Sequence, residues 1–264
     1  MPKQIHDIIL IGAGSLAGHL GIALHRRGLK IVQVVNRTPA KGRKLAAKVG
    51  ASYCENLSDI NRKADLYMLA VSDTYLAETA SLLRLDDRLT VHASGSQAME
   101  ILAPVSRNIG VFYPVQTFSN IRRIGFSRIP VCIEANSEDN EFRLKELAAR
   151  ISGIVHCLNS EQRNWLHLGA VFASNFPNHL YGVAEDLLLS HDIPPKILNP
   201  LISQTAGNWS HGNPFSLQTG PAVRNDRKVL AIHREMLERK PEYRRLYDLL
   251  TESIIKQHPP HDEL

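Results

Sequence analysis

The sequence predicts an α/β protein: a doubly wound parallel sheet followed by a smaller all-α domain. Three observations predict it. A glycine-rich turn joins an apolar strand to an amphipathic helix near the start of the chain. Apolar runs of strand length then alternate with helical patterns as far as residue 157. From residue 158 the strand signals stop while helical periodicity continues. The expected domains are residues 1–157 and 158–264.

The first strand is Ile8-Ile9-Leu10-Ile11, and it runs into Gly12-Ala13-Gly14-Ser15-Leu16-Ala17. A helical pattern follows, then a second apolar run, Ile31 to Val35, ending in Asn36-Arg37-Thr38. Strand, glycine turn, helix and strand in this order form the arrangement that holds a dinucleotide. Gly12 permits the tight turn. Gly14 lets the backbone approach a pyrophosphate, and Ala17 is small enough for the helix to pack close to the sheet. The pyrophosphate would rest on the N–H groups opening the helix, where the dipole favours negative charge. After the second strand, an acidic residue would accept from the ribose 2′-OH of NAD. Asn36, Arg37 and Thr38 stand there instead, and all three can donate to a 2′-phosphate. Arg37 can also stack its flat guanidinium on adenine, and Lys41 and Arg43 add positive charge nearby. The expected cofactor is NADP.

Residues 39–49 read as a helix with Pro39 early and Gly50 just past the end. Residues 65–71 read as a buried strand and 74–83 as a helix. Strands are expected over 89–92, 109–113 and 129–134, an amphipathic helix over 138–151, and a short last strand over 154–156. In an open parallel sheet the ligand lies at the carboxyl ends of the strands. Three such ends are candidates. Ala70, Val71 and Ser72 would run beside the cofactor. Ser94 and Ser96 would offer hydroxyls near the nicotinamide. Gln116 and Thr117, within Phe112–Phe118, would face substrate. Ordinary turn chemistry also places Ser, Gly and Pro at strand ends, and that reading stays open.

In the second half, helical periodicity covers 161–188, 195–209 and 222–257. Ser160-Glu161-Gln162-Arg163 reads as a capping box with Ser160 as the cap. On the helix that follows, His167, Val171, Ser174, Asn175 and Asn178 share one face. Buried polar groups need partners, which a substrate or the protein itself can supply. Pro177 interrupts this helix and frees the carbonyl of Ala173. Further on, Thr219 or Gly220 is expected to cap a helix with Pro221 in its first turn, placing Arg224 and Asp226 in the opening turns. Arg224 is then a candidate for a substrate carboxylate or a cofactor phosphate.

Composition narrows the classes. Hydrophobic content of 44% and charged content of 22% suit a soluble globular chain of 264 residues. No apolar run approaches the roughly 18 residues that cross a membrane. Met1-Pro2-Lys3 leads into the first strand without a secretory leader, so His261-Asp262-Glu263-Leu264 is read as a polar tail, not a retention signal. Cys54, Cys132 and Cys157 are scattered and odd in number, which fits a reducing, cytoplasmic setting. The net charge of +5 has no basic stripe interleaved with aromatics, so nucleic acid is not an expected partner. The histidines and cysteines show no metal-ligand spacing.

These residues resemble a known family, the NADP oxidoreductases that join a Rossmann domain to a helical C-terminal domain of unknown function. Their plan is similar to pyrroline-5-carboxylate reductase, ketopantoate reductase and the 6-phosphogluconate dehydrogenase group. The matching pieces are Gly12–Ala17, Asn36-Arg37-Thr38, Phe112-Tyr113-Pro114-Val115-Gln116-Thr117-Phe118, Ala173-Ser174-Asn175-Phe176, and Thr219-Gly220-Pro221 with Arg224 and Asp226. The resemblance implies NADP in a cleft between the domains and a homodimer assembled mainly through the helical domains. It also exposes a departure. Hydroxyacid dehydrogenases of this plan place a catalytic Lys four residues before a helix Asn; Asn175 fits the Asn, but the Lys position holds Val171. His167, one turn further back, is the candidate proton donor instead. The expected function is hydride transfer between NADP and a small polar or carboxylate-bearing substrate near Ser94, Gln116 and Asn175. The other class left open is an NADP-binding sensor or partner-binding protein without turnover.

Overall fold

A computed structural model describes residues 4–118 and 125–259, so the terminal segments Met1-Pro2-Lys3 and His261–Leu264 lie outside the described residues. The chain folds as two compact units, Met1–Asn175 and Phe176–Leu264. The first unit therefore takes in the helix that follows the last strand.

That unit is built on one sheet. Its strands are β1 (Asp7–Ile11), β2 (Lys30–Val35), β3 (Ser52–Cys54), β4 (Leu66–Leu69), β5 (Leu89–His92), β6 (Ile109–Pro114), β7 (Val131–Ala135) and β8 (Val155–Cys157). Their order across the sheet is β3-β2-β1-β4-β5-β6-β7-β8. Helices α1 (Ser15–Arg26), α2 (Pro39–Val49), α3 (Asp73–Ser81) and α4 (Glu138–Ile151) cover it, and α5 (Ser160–Ala170) follows β8.

The apolar runs are continuous because both sheet faces are buried. In β1, Ile8 and Leu10 join Leu20, Leu24, Leu45 and Leu144 on one face. Ile9 and Ile11 join Leu76, Ala80 and Leu102 on the other. In β4, Leu66 and Met68 go to the first core, and Tyr67 and Leu69 to the second.

The sheet is mostly parallel, with one departure from the all-parallel expectation. β6 and β7 pair antiparallel, so β7 and β8 run against the rest. A parallel neighbour needs a crossover, usually a helix, and no α-helix lies among the described residues between β6 and β7.

The second unit carries α6 (Phe176–Leu189), α7 (Asn199–Asn208), α8 (Arg227–Met236) and α9 (Pro241–Gln257). The helix expected over 161–188 is interrupted by a π-helical turn, Val171–Asn175. Its cause is Pro177, which has no N–H for the Ala173 carbonyl; the helix widens instead of closing its ladder. The pattern over 222–257 divides into α8 and α9, with Pro241 opening α9.

Two capping expectations are corrected. Asn159, not Ser160, caps α5: its side chain accepts from Gln162 N at 2.8 Å, and Gln162 Oε1 accepts from Asn159 N at 3.0 Å. A capping box needs Glu or Gln three residues after the cap. Counted from Ser160 that position is Arg163. Likewise no helix begins at Pro221. Residues 221–225 form a turn with Asn225 at φ 47°, and Asp226 caps α8 by accepting from Val229 N at 3.2 Å. Arg224 therefore lies in the turn before α8, not inside a helix.

Candidate functional site

The chain reverses direction across the sheet between β1 and β4, which makes their carboxyl ends a topological switch point. A cavity of about 740 Å³ opens there. Gly12, Ala13 and Gly14 line it from the end of β1, Asn36, Arg37 and Thr38 from the end of β2, and Ala70, Val71 and Ser72 from the end of β4. Nine of the expected cofactor-binding residues thus meet at one place. Ser15 and Leu16 begin α1 behind this wall, with Leu16 packed on the core, and Ala17 is fully buried.

The local backbone explains the opening. Gly12 holds φ at +114°, and its N–H donates to Val35 O at 2.8 Å. α1 then starts on Gly14 with no side-chain cap and no acidic residue in its first turn. Nothing lies within 4 Å of the place a Gly14 side chain would occupy. An uncapped helix start facing open space suits a pyrophosphate.

The end of β2 is basic. The Arg37 guanidinium lies 3.9 Å over the centre of the Tyr75 ring, and Lys41 joins the lining. Asn36 spends its amide within the turn, donating to Thr38 O at 2.9 Å. Arg43 turns to Tyr53 and does not line the cavity. Glu55 and Glu78 stand on the rim as well. An aromatic-backed guanidinium with a lysine beside it fits a phosphate on the adenosine ribose.

Beyond the cavity wall, the β5 end forms a turn knit from polar groups. Buried His92 accepts from Ser94 N at Nδ1 (3.2 Å) and faces the Ala98 carbonyl with Nε2 (3.3 Å). An amide only donates and a carbonyl only accepts, so the tautomer is Nε2–H. Ser94 Oγ accepts from Ser96 N at 3.2 Å and from Gln97 N at 3.1 Å. Ser96 Oγ donates to Asp73 at 2.5 Å, tying this turn to the start of α3 next to the cavity residue Ser72.

Burial, reinforced by the Arg163 cation, pushes the His92 pKa from 6.5 down to about 4. The folded state therefore binds fewer protons than the unfolded chain between those values. Stability from neutral His92 is complete above pH 6.5 and is lost as pH falls towards 4, by up to about 3 kcal/mol. Denaturation midpoints across this window should fall less steeply in His92→Gln than in wild type. Equal slopes would remove His92 as the cause.

At the β6 end, Tyr113 Oη lies 3.3 Å from His167 Nδ1 of α5, with the two rings edge to face. Thr117 and Ser174 hydroxyls meet at 3.3 Å. Gln116 Oε1 accepts from Thr117 N at 2.9 Å. Asn175 ends the π-helical turn and is exposed. So the structure brings His167 to the β6 edge, and Thr117 to the same helical segment.

A buried ion pair sits behind this region. Arg163 is 1% exposed and binds Glu134, whose side chain is 13% exposed. Arg163 also donates to the Gln97 carbonyl and to Ser160 Oγ. Ser160 gives both its N–H and its hydroxyl to Glu134. Sequence reasoning missed this network, along with Tyr75 and Tyr113. Among the described residues no three of His, Cys, Asp and Glu are grouped to hold a metal ion.

A crystal structure from Bacteroides fragilis, described as a "putative NADP oxidoreductase", is 42% identical to this chain. The match covers 96% of this chain and 98% of that one, with a TM-score of 0.90. The chain belongs to the same family. Within this family's plan, residues 3–115 match the Rossmann-like domain, and residues 129–254 match a domain of unknown function, DUF2520. More distant structures share the fold. An imine reductase from Myxococcus stipitatus in complex with NADP+ is 16% identical, covering 95% of this chain and 93% of that one, with a TM-score of 0.64. A reductive aminase from Aspergillus terreus, in complex with NADPH and ethyl-5-oxohexanoate, is 14% identical, covering 98% and 97%, with a TM-score of 0.69. No curated protein matches the chain.

Proposed function

We propose that this protein is an NADP(H)-dependent oxidoreductase that transfers hydride to or from a small polar or carboxylate-bearing substrate. The observation that carries the reading is the switch-point cavity with Arg37 over Tyr75 and Lys41 beside them. The Bacteroides relative's name agrees with it. Gly12–Gly14 and the opening of α1 would hold the pyrophosphate, and Arg37, Thr38 and Lys41 the 2′-phosphate. The bound nicotinamide supplies or accepts the hydride.

The chain's own task is the proton. Val171 stands where related enzymes carry a lysine and has none to give. His167 is partly exposed and hydrogen-bonded to Tyr113, and we assign it the acid–base role, with Asn175, Ser94, Gln116 and Thr117 as substrate contacts. A substrate that arrives as a cationic imine asks least of such an acid.

We also propose a homodimer formed through the helical domain, residues 158–264. α6 and α7 bury none of their residues, and Ile197, Leu201 and Trp209 are 69%, 59% and 75% exposed. Apolar faces of this kind call for a partner, and a second copy is the one proposed. Cys54, Cys132 and Cys157 are all free thiols, which suits the cytoplasm.

Titration with NADPH and NADH, read by nucleotide fluorescence, tests the cofactor. NADPH should bind at least about 10-fold more tightly, and Arg37→Ala should erase the difference, since one charge-assisted contact is worth about 1.5–3 kcal/mol. Equal affinity would refute the choice of NADP. Binding of neither would refute the oxidoreductase.

A further inference from the structure

The pairing of Tyr113 with His167 has the features of a supported acid–base group. Nδ1 of His167 faces the Tyr113 hydroxyl at 3.3 Å, while Nε2 has no hydrogen-bond partner among the described residues. The two rings press on the β5 turn. A side chain at Gly95 would come within 2.7 Å of both His167 Nδ1 and Tyr113 Cζ, so the dyad occupies the space that glycine leaves. This turn is tied to the cavity wall through the Ser96–Asp73 bond. A second clasp, Thr117 to Ser174, holds the same helical segment to the residues after β6.

We infer that Tyr113 is a positioning residue for proton transfer by His167, its hydroxyl pairing with Nδ1 in every protonation state while Nε2 faces the substrate. The inference rests on the acid–base role proposed above for His167. A hydroxyl both donates and accepts. It can donate to the bare Nδ1 of the Nε2–H tautomer. It can accept from Nδ1–H in the imidazolium and in the neutral ring left after Nε2 has given up its proton. The pair therefore survives each step of the cycle. In reduction, the carbon of a C=N or C=O bond takes the hydride, and the displaced electron pair on the heteroatom takes the Nε2 proton. The imidazolium becomes neutral imidazole and is reprotonated from water.

Burial raises the Tyr113 pKa, so the phenol stays protonated and serves as a partner, not as an anion. The ionisable groups around Tyr113 are Asp73 from α3, Arg163 from α5 and Cys132 from β7. His92 of β5 faces the same Asp73 and Arg163.

The test is Tyr113→Phe in the full chain, which keeps the ring over Gly95 and removes only the hydroxyl. Ring-nitrogen NMR of labelled histidine, with His167 assigned through His167→Gln, reads the pair without turnover. The variant should change the Nδ1 resonance of His167, which loses its hydroxyl partner. An unchanged Nδ1 resonance would overturn the inference. With NADPH and a small 2-keto acid such as pyruvate, whose carbonyl oxygen must receive the proton, the variant should lose about 10-fold in kcat at unchanged KM for NADPH. A changed Nδ1 resonance with unchanged kcat, or with no turnover by wild type, overturns the role in proton transfer. Failure of NADPH to bind wild type overturns the proposed function instead, and the histidine resonance still reports on the pair.

Discussion

Arg163→Met is expected to lower the stability of the sheet unit by about 3–5 kcal/mol, the cost of stranding one member of a buried ion pair. Arg163 and Glu134 come from α5 and β7 and are 1% and 13% exposed. Without the guanidinium, Glu134 keeps only the Ser160 donors, and the Gln97 carbonyl loses its partner. The attraction that formed the pair offset a desolvation cost of similar size, so the pair itself adds little net stability. What costs is breaking it on one side. Arg163→Met combined with Glu134→Gln should therefore recover more than half the loss, since Gln still accepts from Ser160 and carries no charge. Urea denaturation of wild type and the two variants decides the matter. A single-variant loss under about 1 kcal/mol would mean that water reaches the site. The Arg163 cation also holds the His92 pKa down, so the single variant should soften the acid sensitivity of the β5 turn.

How much of this is legible in the sequence depends on the range over which each feature is determined. β1, the glycine turn and α1 are readable because a strand buried on both faces must be continuously apolar, and the turn chemistry is local. The limits of α2 and α4 are readable for the same reason: Pro39 with Gly50, and the amphipathic period of 138–151, are local signals. β3 escapes notice because three residues at a sheet edge give no period to detect. The Asn159 cap is written in the sequence one position before Ser160, and the Gln162 spacing points to it. Reversal of β7 depends on the missing crossover, which is an absence of helix and not a pattern.

The candidate site divides along the same line. Its switch-point cavity is made of strand ends, so the residues that line it can be named from the sequence. Tyr75 under Arg37, Tyr113 against His167 and Arg163 with Glu134 are meetings between elements 29 to 54 residues apart. No local spacing encodes them. Tyr113 also stands in a run of apolar and aromatic residues, where a tyrosine reads as core.

Gly12→Ala and Gly14→Ala should separate the demands of the fold from those of the cofactor. At Gly12 the backbone holds φ +114°, and an added Cβ would lie 2.4 Å from the Ala70 carbonyl oxygen. Neither side can yield cheaply. Gly12 N is bonded to Val35 O, and Ala70 N is bonded to Ile11 O, both at 2.8 Å, within the β2-β1-β4 ladder. Backbone strain of about 1–3 kcal/mol adds to that clash, so Gly12→Ala should lose about 3 kcal/mol of stability and bind NADPH at least about 100-fold more weakly. Gly14 has φ −72°, which alanine adopts freely, and open space where its Cβ would stand. Gly14→Ala should melt like wild type. It should nevertheless bind NADPH about 10-fold or more weakly, because the methyl enters the space the pyrophosphate needs. Thermal melts beside NADPH titrations give the two readouts independently. Unimpaired binding by a well-folded Gly14→Ala protein would mean that no pyrophosphate lies against this turn, and the switch-point cavity would then need a different ligand.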